Sequence, residues 1–185
     1  MNDERLTPRD FWMTNVFTPK AVAILAVFLA IRTILGLPGL TIYLAPNFKL
    51  ITFAYVTDAL AAMFFGPVAG LAFGFAGDLL GFMVSPVAGY FPGFTISEMV
   101  TCFLFACFFF KRKVTLPRII AVWLLNLAIV ILGLNSLWLM LWAGQSAGQV
   151  FAFARVINNA VQSPLHIAIL YFILTRIRRL EKHLR

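Results

Sequence analysis

The sequence predicts an all-α integral membrane protein with six transmembrane helices, both termini cytoplasmic and an outward-facing binding cup. Three observations carry this expectation. Of 185 residues, 62% are hydrophobic and only 12% charged, about half the charged share of an ordinary soluble domain, and the mean hydropathy is +0.92. The apolar residues gather into runs of membrane-spanning character at approximately 20–37, 50–65, 67–84, 95–110, 119–142 and 149–175. The basic residues lie in three blocks flanking those runs: Arg5, Arg9 and Lys20; Lys111, Arg112, Lys113 and Arg118; Arg176, Arg178, Arg179, Lys182 and Arg185. Basic blocks of this kind mark the cytoplasmic side.

Residues 1–19 are polar and form a cytoplasmic N-terminal segment, without the apolar stretch and cleavage site of a removable signal peptide. The first run, 20–37, is a single span. The stretch 50–84 has no charged loop, and as one helix it would reach about 50 Å, well beyond a hydrocarbon core of about 30 Å. Gly66-Pro67 falls at its middle, so it is expected to be two short helices joined by a tight turn. Parity agrees. Six spans put both termini and the 111–118 loop inside, with 12 of the 15 Lys and Arg; five would put the basic C-terminus outside. The chain thus divides into 1–19, a six-helix membrane domain over 20–175, and a basic cytoplasmic tail over 176–185. The outer segments 38–49, 85–94 and 143–148 are rich in Pro, Gly and aromatics and almost free of charge, so they are expected to fold back over something.

The net charge of +8 does not point to nucleic acid, because the basic blocks flank apolar runs and face lipid headgroups. Cys102 and Cys107 lack the spacing of a zinc site or an oxidised pair and read as small buried hydrophobes. There is no HExxH, no G-x-S-x-G and no Walker A sequence, and neither His166 nor His183 has a partner at metal-ligand spacing. No enzyme activity, metal or cofactor is expected, and the chain does not itself use ATP.

Five ionisable residues, Arg32, Asp58, Asp78, Glu98 and Arg155, fall inside the apolar runs. A charge at bilayer depth costs roughly 2.5–3.5 kcal/mol on insertion scales, so such residues face a cavity or a partner. With the topology fixed, Arg32, Asp78, Glu98, Asn135, Trp138 and Arg155 fall in the outer half, whereas Asp58 lies deeper and reads as a structural partner of a neighbouring helix. A conduction path is lined through its full depth; this distribution describes a cup that binds. The candidate binding residues are Arg32, Lys49, Asp78, Tyr90, Phe91, Glu98, Asn135, Trp138 and Arg155. Alternatives stay open for most of them. Arg32 and Lys49 can snorkel to headgroups, Asp78 and Glu98 can pair with arginines purely for architecture, and Tyr90, Phe91 and Trp138 can belong to an interfacial belt.

Small residues recur at four-residue spacing: Ala26 and Ala30 in the first span, and Gly66, Gly70 and Gly74 in the third. Such stripes let helices approach closely. Ala26, Ala30, Gly70 and Gly74 are therefore candidates for docking a partner helix, with internal packing the alternative for the glycines.

The Ala-xxx-Ala first helix, F-F-G-P-V-A-G at 64–70 with Asp78, G-Y-F-P-G-F-T-I-S-E at 89–98, and N-S-L-W-L at 135–139 followed by Arg155 and Pro164 together resemble the substrate-binding S components of energy-coupling factor (ECF) vitamin transporters. The likeness is greatest to the folate-specific branch and covers nearly the whole chain. It implies capture of folate outside a prokaryotic plasma membrane, docking through Ala26 and Ala30 on a membrane coupling protein driven by two cytoplasmic ATPases, and delivery by toppling. The residues fit such a ligand: arginines for the glutamate carboxylates, Asp78, Glu98 and Asn135 for the pterin edge, and Tyr90, Phe91 and Trp138 for stacking. Another vitamin on the same scaffold, such as pantothenate or a thiamine precursor, is the near alternative. More distant ones are a small intramembrane enzyme using Asp78 and Glu98, or a subunit without a ligand.

Overall fold

A threonine, a proline and the apolar run behind them set the first helix. Thr18 accepts from the Ala21 amide at 3.3 Å and Pro19 fills the first turn of α1, Pro19–Leu35, where a missing N–H costs nothing. The computed structural model describes residues 18–184 apart from 41, 46, 47, 52, 87, 88 and 147–152; for 42–45, 48–51, 143, 153–157 and 180–184 it describes the backbone alone.

After a 3₁₀ turn at Pro38–Leu40, strands β1, Ile42–Ala45, and β2, Phe48–Ile51, form an antiparallel hairpin that lies against the last helix. This adds a short two-stranded ribbon to the expected all-helical membrane architecture and puts the start of the second helix at Ala54. The reason is local: Ile, Tyr, Phe and Leu, good strand formers, flank Pro46-Asn47, a turn signal in the sequence.

Helix α2, Ala54–Val84, is broken at Gly66, whose φ of 84° and ψ of −172° are non-helical. Pro67 restarts the helix, and the Phe110 ring lies about where a Cβ on Gly66 would stand, 3.0 Å away. Only glycine suits that conformation and that contact. The expected break at Gly66-Pro67 is therefore present, between segments 54–65 and 67–84 rather than 50–65 and 67–84, and it is made by one residue rather than a loop. Next come α3, Pro92–Phe109; α4, Leu116–Asn126, which runs through a π-helical stretch, Leu127–Leu134, into α5, Asn135–Ala143; and α6, Phe153–Leu184. Four of the helices, Ala54–Val84, Pro92–Phe109, Leu116–Trp142 and Asn158–Arg179, are long and apolar enough to cross a membrane. Helix α6 runs on through the basic residues from Arg176 to Lys182.

Helix α2 packs along both α1 and α3. Its glycine stripe explains how closely: a Cβ on Gly70 would stand 3.2 Å from the Cys102 carbonyl oxygen, and one on Gly74 only 2.8 Å from that of Glu98. Both glycines are buried against α3. The expectation that Gly70 and Gly74 dock an outside partner is thus corrected, because this chain's own helix covers them. At the end of α3 away from Pro92, Met63, Phe105, Phe109, Ile119, Val122, Leu170 and Leu174 form an apolar core, each at most 1% exposed.

Candidate functional site

Above that core the helices part around a cavity of about 570 Å³. Helical periodicity aims one face of each helix into it. From α3 come Phe94, Glu98, Thr101 and Phe105, and from α6 come Asn159, Gln162, Ser163 and His166, residues three or four apart.

Its lining includes an ion triad. Arg32 donates through Nε to Asp58 Oδ1 at 2.6 Å and through Nη2 to Glu98 Oε2 at 3.1 Å. Gly77 makes room for it: a Cβ there would stand 2.7 Å from Arg32 Nε. The glycine stripe of α2 therefore first admits α3 and then admits the guanidinium. With one cation against two carboxylates, the triad carries a net negative charge when all three are ionised. This removes Arg32 from the role of carboxylate clamp suggested by its sequence position, since two carboxylates of the same chain already hold it. Asp58 pairs with a neighbouring helix, as its depth suggested, yet it also lines the cavity.

The rim is polar on one side and aromatic on the other. Thr95 Oγ1 donates to Asp78 Oδ2 at 2.6 Å, so its single proton is used and the Tyr90 hydroxyl, 2.7 Å away, must be the donor between those two. Phe91 contacts Phe94 and Trp142, with ring centroids 6.0 and 6.1 Å apart. Trp138 does not line the cavity as expected. It packs behind Phe91 at 5.9 Å and donates to Ser97 Oγ at 3.1 Å; Trp142, one turn further, is the α5 indole that lines the cavity.

Asn126 and Asn135 both line the cavity, which an uninterrupted α-helix would forbid. Nine residues are about two and a half α-turns, so the two would face opposite ways. The π-helical stretch between them takes up the extra residue and swings Asn135 round, the kind of use to which π-bulges are often put. Asn126 Oδ1 lies 3.0 Å from the Thr101 hydroxyl, while the buried Asn135 Oδ1 has no partner among the described residues.

The floor is a cluster of rings. Tyr55 and Trp123 meet at 5.7 Å, and His166 lies 4.4 Å from the first and 4.8 Å from the second. Both Tyr55 and Trp123 also belong to the apolar core below.

Of the expected binding residues, Arg32, Asp78, Tyr90, Phe91, Glu98 and Asn135 thus line one cavity. The side chains of Lys49 and Arg155 lie outside the described residues; the backbone places Lys49 in β2 and Arg155 one turn before Asn159 in α6. Ala26 and Ala30 are exposed on the face of α1 turned away from α2. Sequence reasoning missed Tyr55, Trp123, Trp142 and His166. For His166 a signal existed: a histidine inside an apolar run, seven residues after Asn159 and four after Gln162, shares their face.

A family model described as "ECF transporter, substrate-specific component" matches residues 20–174. The folate transporter FolT of Clostridium novyi (strain NT) is 31% identical over 131 residues, 71% of this chain and 76% of that protein. FolT of Leuconostoc mesenteroides is 28% identical over 171 residues, 88% of this chain and 89% of the relative. Among solved structures, FolT bound with folic acid superimposes with a TM-score of 0.75 at 28% identity, covering 84% of this chain and 91% of the other.

Proposed function

Because the chain belongs to the ECF transporter substrate-specific component family, a family of multi-pass cell-membrane proteins, we propose that it is the folate-binding S component of such a transporter. The observation that carries the ligand class is the cavity itself: two carboxylates against one cation in its lining, with aromatic side chains around them. When all three are ionised the triad is net negative, which repels carboxylates and attracts N–H groups. The pterin ring, whose edge is rich in N–H donors, suits the carboxylate of Glu98, while at the rim Asp78 can accept from an N–H of the aromatic linker and Phe91, Phe94 and Trp142 offer it faces. The two carboxylates of the glutamyl end then belong at the mouth, where the sequence offers Arg155 and Lys49.

In this reading the chain crosses the membrane six times, counting α2 as two spans at its Gly66 break, with both termini cytoplasmic and the cavity opening outward. The apolar core closes the cytoplasmic end, so delivery requires a larger movement than a gate. Toppling of the whole subunit on a membrane coupling protein, driven by two cytoplasmic ATPases, supplies it. The exposed Ala26 and Ala30 give that partner a smooth surface on α1.

Equilibrium binding of the purified protein to folic acid, pantothenate and thiamine tests the ligand. Folic acid is expected to bind in the nanomolar to low micromolar range with the others at least a hundredfold weaker, and no binding of folic acid at micromolar concentration ends this reading. Ala30→Trp tests docking. Uptake by cells is expected to stop while folic acid binding by the purified variant stays within twofold; loss of binding in a folded variant places that face in the ligand site.

A further inference from the structure

The floor of the cavity holds polar atoms for which the described residues offer no partner. The Tyr55 hydroxyl and both ring nitrogens of His166 have no hydrogen-bond partner among the described residues, although the two side chains are only 8% and 4% exposed. The third ring of the cluster is different. Trp123 Nε1 donates to Ser163 Oγ at 2.9 Å, and Ser163 passes its own proton to the Asn159 carbonyl at 2.7 Å. Trp123 is thus fixed within the protein. Tyr55 and His166 meet edge to face at 4.4 Å and do not bond each other. Buried polar groups are almost always paired, and the two residues that carry these atoms line the cavity, which makes whatever fills it the nearest source of partners.

We propose that Tyr55 and His166 are specificity-determining residues that hydrogen-bond the polar edge of a planar heteroaromatic ring, seated ring-first against the Trp123 floor. This rests on the folate reading above. The chemistry is complementary: a neutral imidazole offers one donor and one acceptor, and a phenol offers both, matching a ring edge that alternates N–H and acceptor positions. An apolar isostere there leaves those ligand groups unpaired, the situation in which polar recognition discriminates most strongly.

The test uses the full chain purified in detergent, with folic acid as probe and the variants Tyr55→Phe and His166→Phe. Each is expected to weaken folic acid binding about tenfold. The melting temperature without ligand is expected to hold or rise, since each substitution removes an unpaired buried group from the free protein. That opposition of signs belongs to a ligand contact. Affinity within twofold of the native protein overturns the proposal and assigns the floor to water alone. A lowered melting temperature with affinity per folded molecule unchanged overturns it too, giving the pair a structural role. If the native protein does not bind folic acid, the folate reading fails; if it does and both variants bind as well, only the floor assignment fails.

Discussion

The two ends of the helix bundle are built on opposite terms. At one end Met63, Phe105, Phe109, Ile119, Val122, Leu170 and Leu174 fill the space between helices with apolar side chains, none more than 1% exposed. At the other the same helices hold an ion triad, two ring groups without a hydrogen-bond partner among the described residues, and a large cavity. Helix α3 crosses both regimes, with Phe109 in the packed end, Phe94, Glu98 and Thr101 in the open one, and Phe105 in both the core and the cavity lining. In a bilayer, water does not drive helices together, so close packing and polar bonds must hold them. The packed end and the glycine stripe supply the first, which frees the open end to keep polar groups for a ligand.

If the ends divide the work in this way, mutations in them separate stability from affinity. The largest effect is expected from Arg32→Met, which leaves Asp58 and Glu98 facing each other without their cation. Removing one partner of a buried ionic group costs about 3–5 kcal/mol, to be read as lowered thermal stability in detergent, with folic acid affinity lost as well. Phe105→Ala should cost about 3 kcal/mol of stability through the space it empties. Phe109, unlike Phe105, is not among the residues that line this cavity, so Phe109→Ala should cost about as much yet leave affinity per folded molecule within a fewfold of native. Equal losses of affinity in Arg32→Met and Phe109→Ala would erase the distinction between the ends.

Much of this division was legible in the sequence, for reasons that can be named. The intramembrane charges announced a polar pocket because lipid makes each one expensive, and Arg32, Asp78 and Glu98 do line one cavity. Gly66-Pro67 announced the break because backbone preferences are local. What stayed hidden depends on helix rotation and on distant neighbours. The net charge of the triad requires knowing that Arg32 meets Asp58 and Glu98, 26 and 66 residues away. Trp138 and Trp142 lie one turn apart, so periodicity alone does not say which faces the cavity. Asn135 was assigned to the site, but the π-helical turn that brings it there has no recognisable signal in Leu127–Leu134. The hairpin stayed hidden because the apolar run that begins within it reads as the start of a span.

Gly74 probes the seam between the ends. A Cβ there would meet the Glu98 carbonyl oxygen at 2.8 Å and the Met99 Cα at 2.9 Å, both backbone atoms of α3 that cannot turn aside. Gly74→Ala must therefore push α3 away from α2. A stability loss of about 1–3 kcal/mol is expected from overpacking, together with weaker folic acid binding, since the displaced turn carries Glu98. Unchanged affinity with lowered stability would mean that the triad follows the movement.

The smallest expected effect is at the rim. Thr95→Val keeps the side chain's shape but removes the oxygen that donates to Asp78 and accepts from Tyr90. Tyr90 is 39% exposed, so water can replace what its hydroxyl loses, and the stability change should stay near 1 kcal/mol or below. Asp78 loses the donor that orients its carboxylate, and folic acid affinity is expected to fall about threefold to tenfold, with Tyr90→Phe showing less. Measured beside Phe109→Ala, this variant gives the opposite ratio of affinity loss to stability loss. A rim that merely closes the fold would instead give Thr95→Val the ratio seen in the packed end.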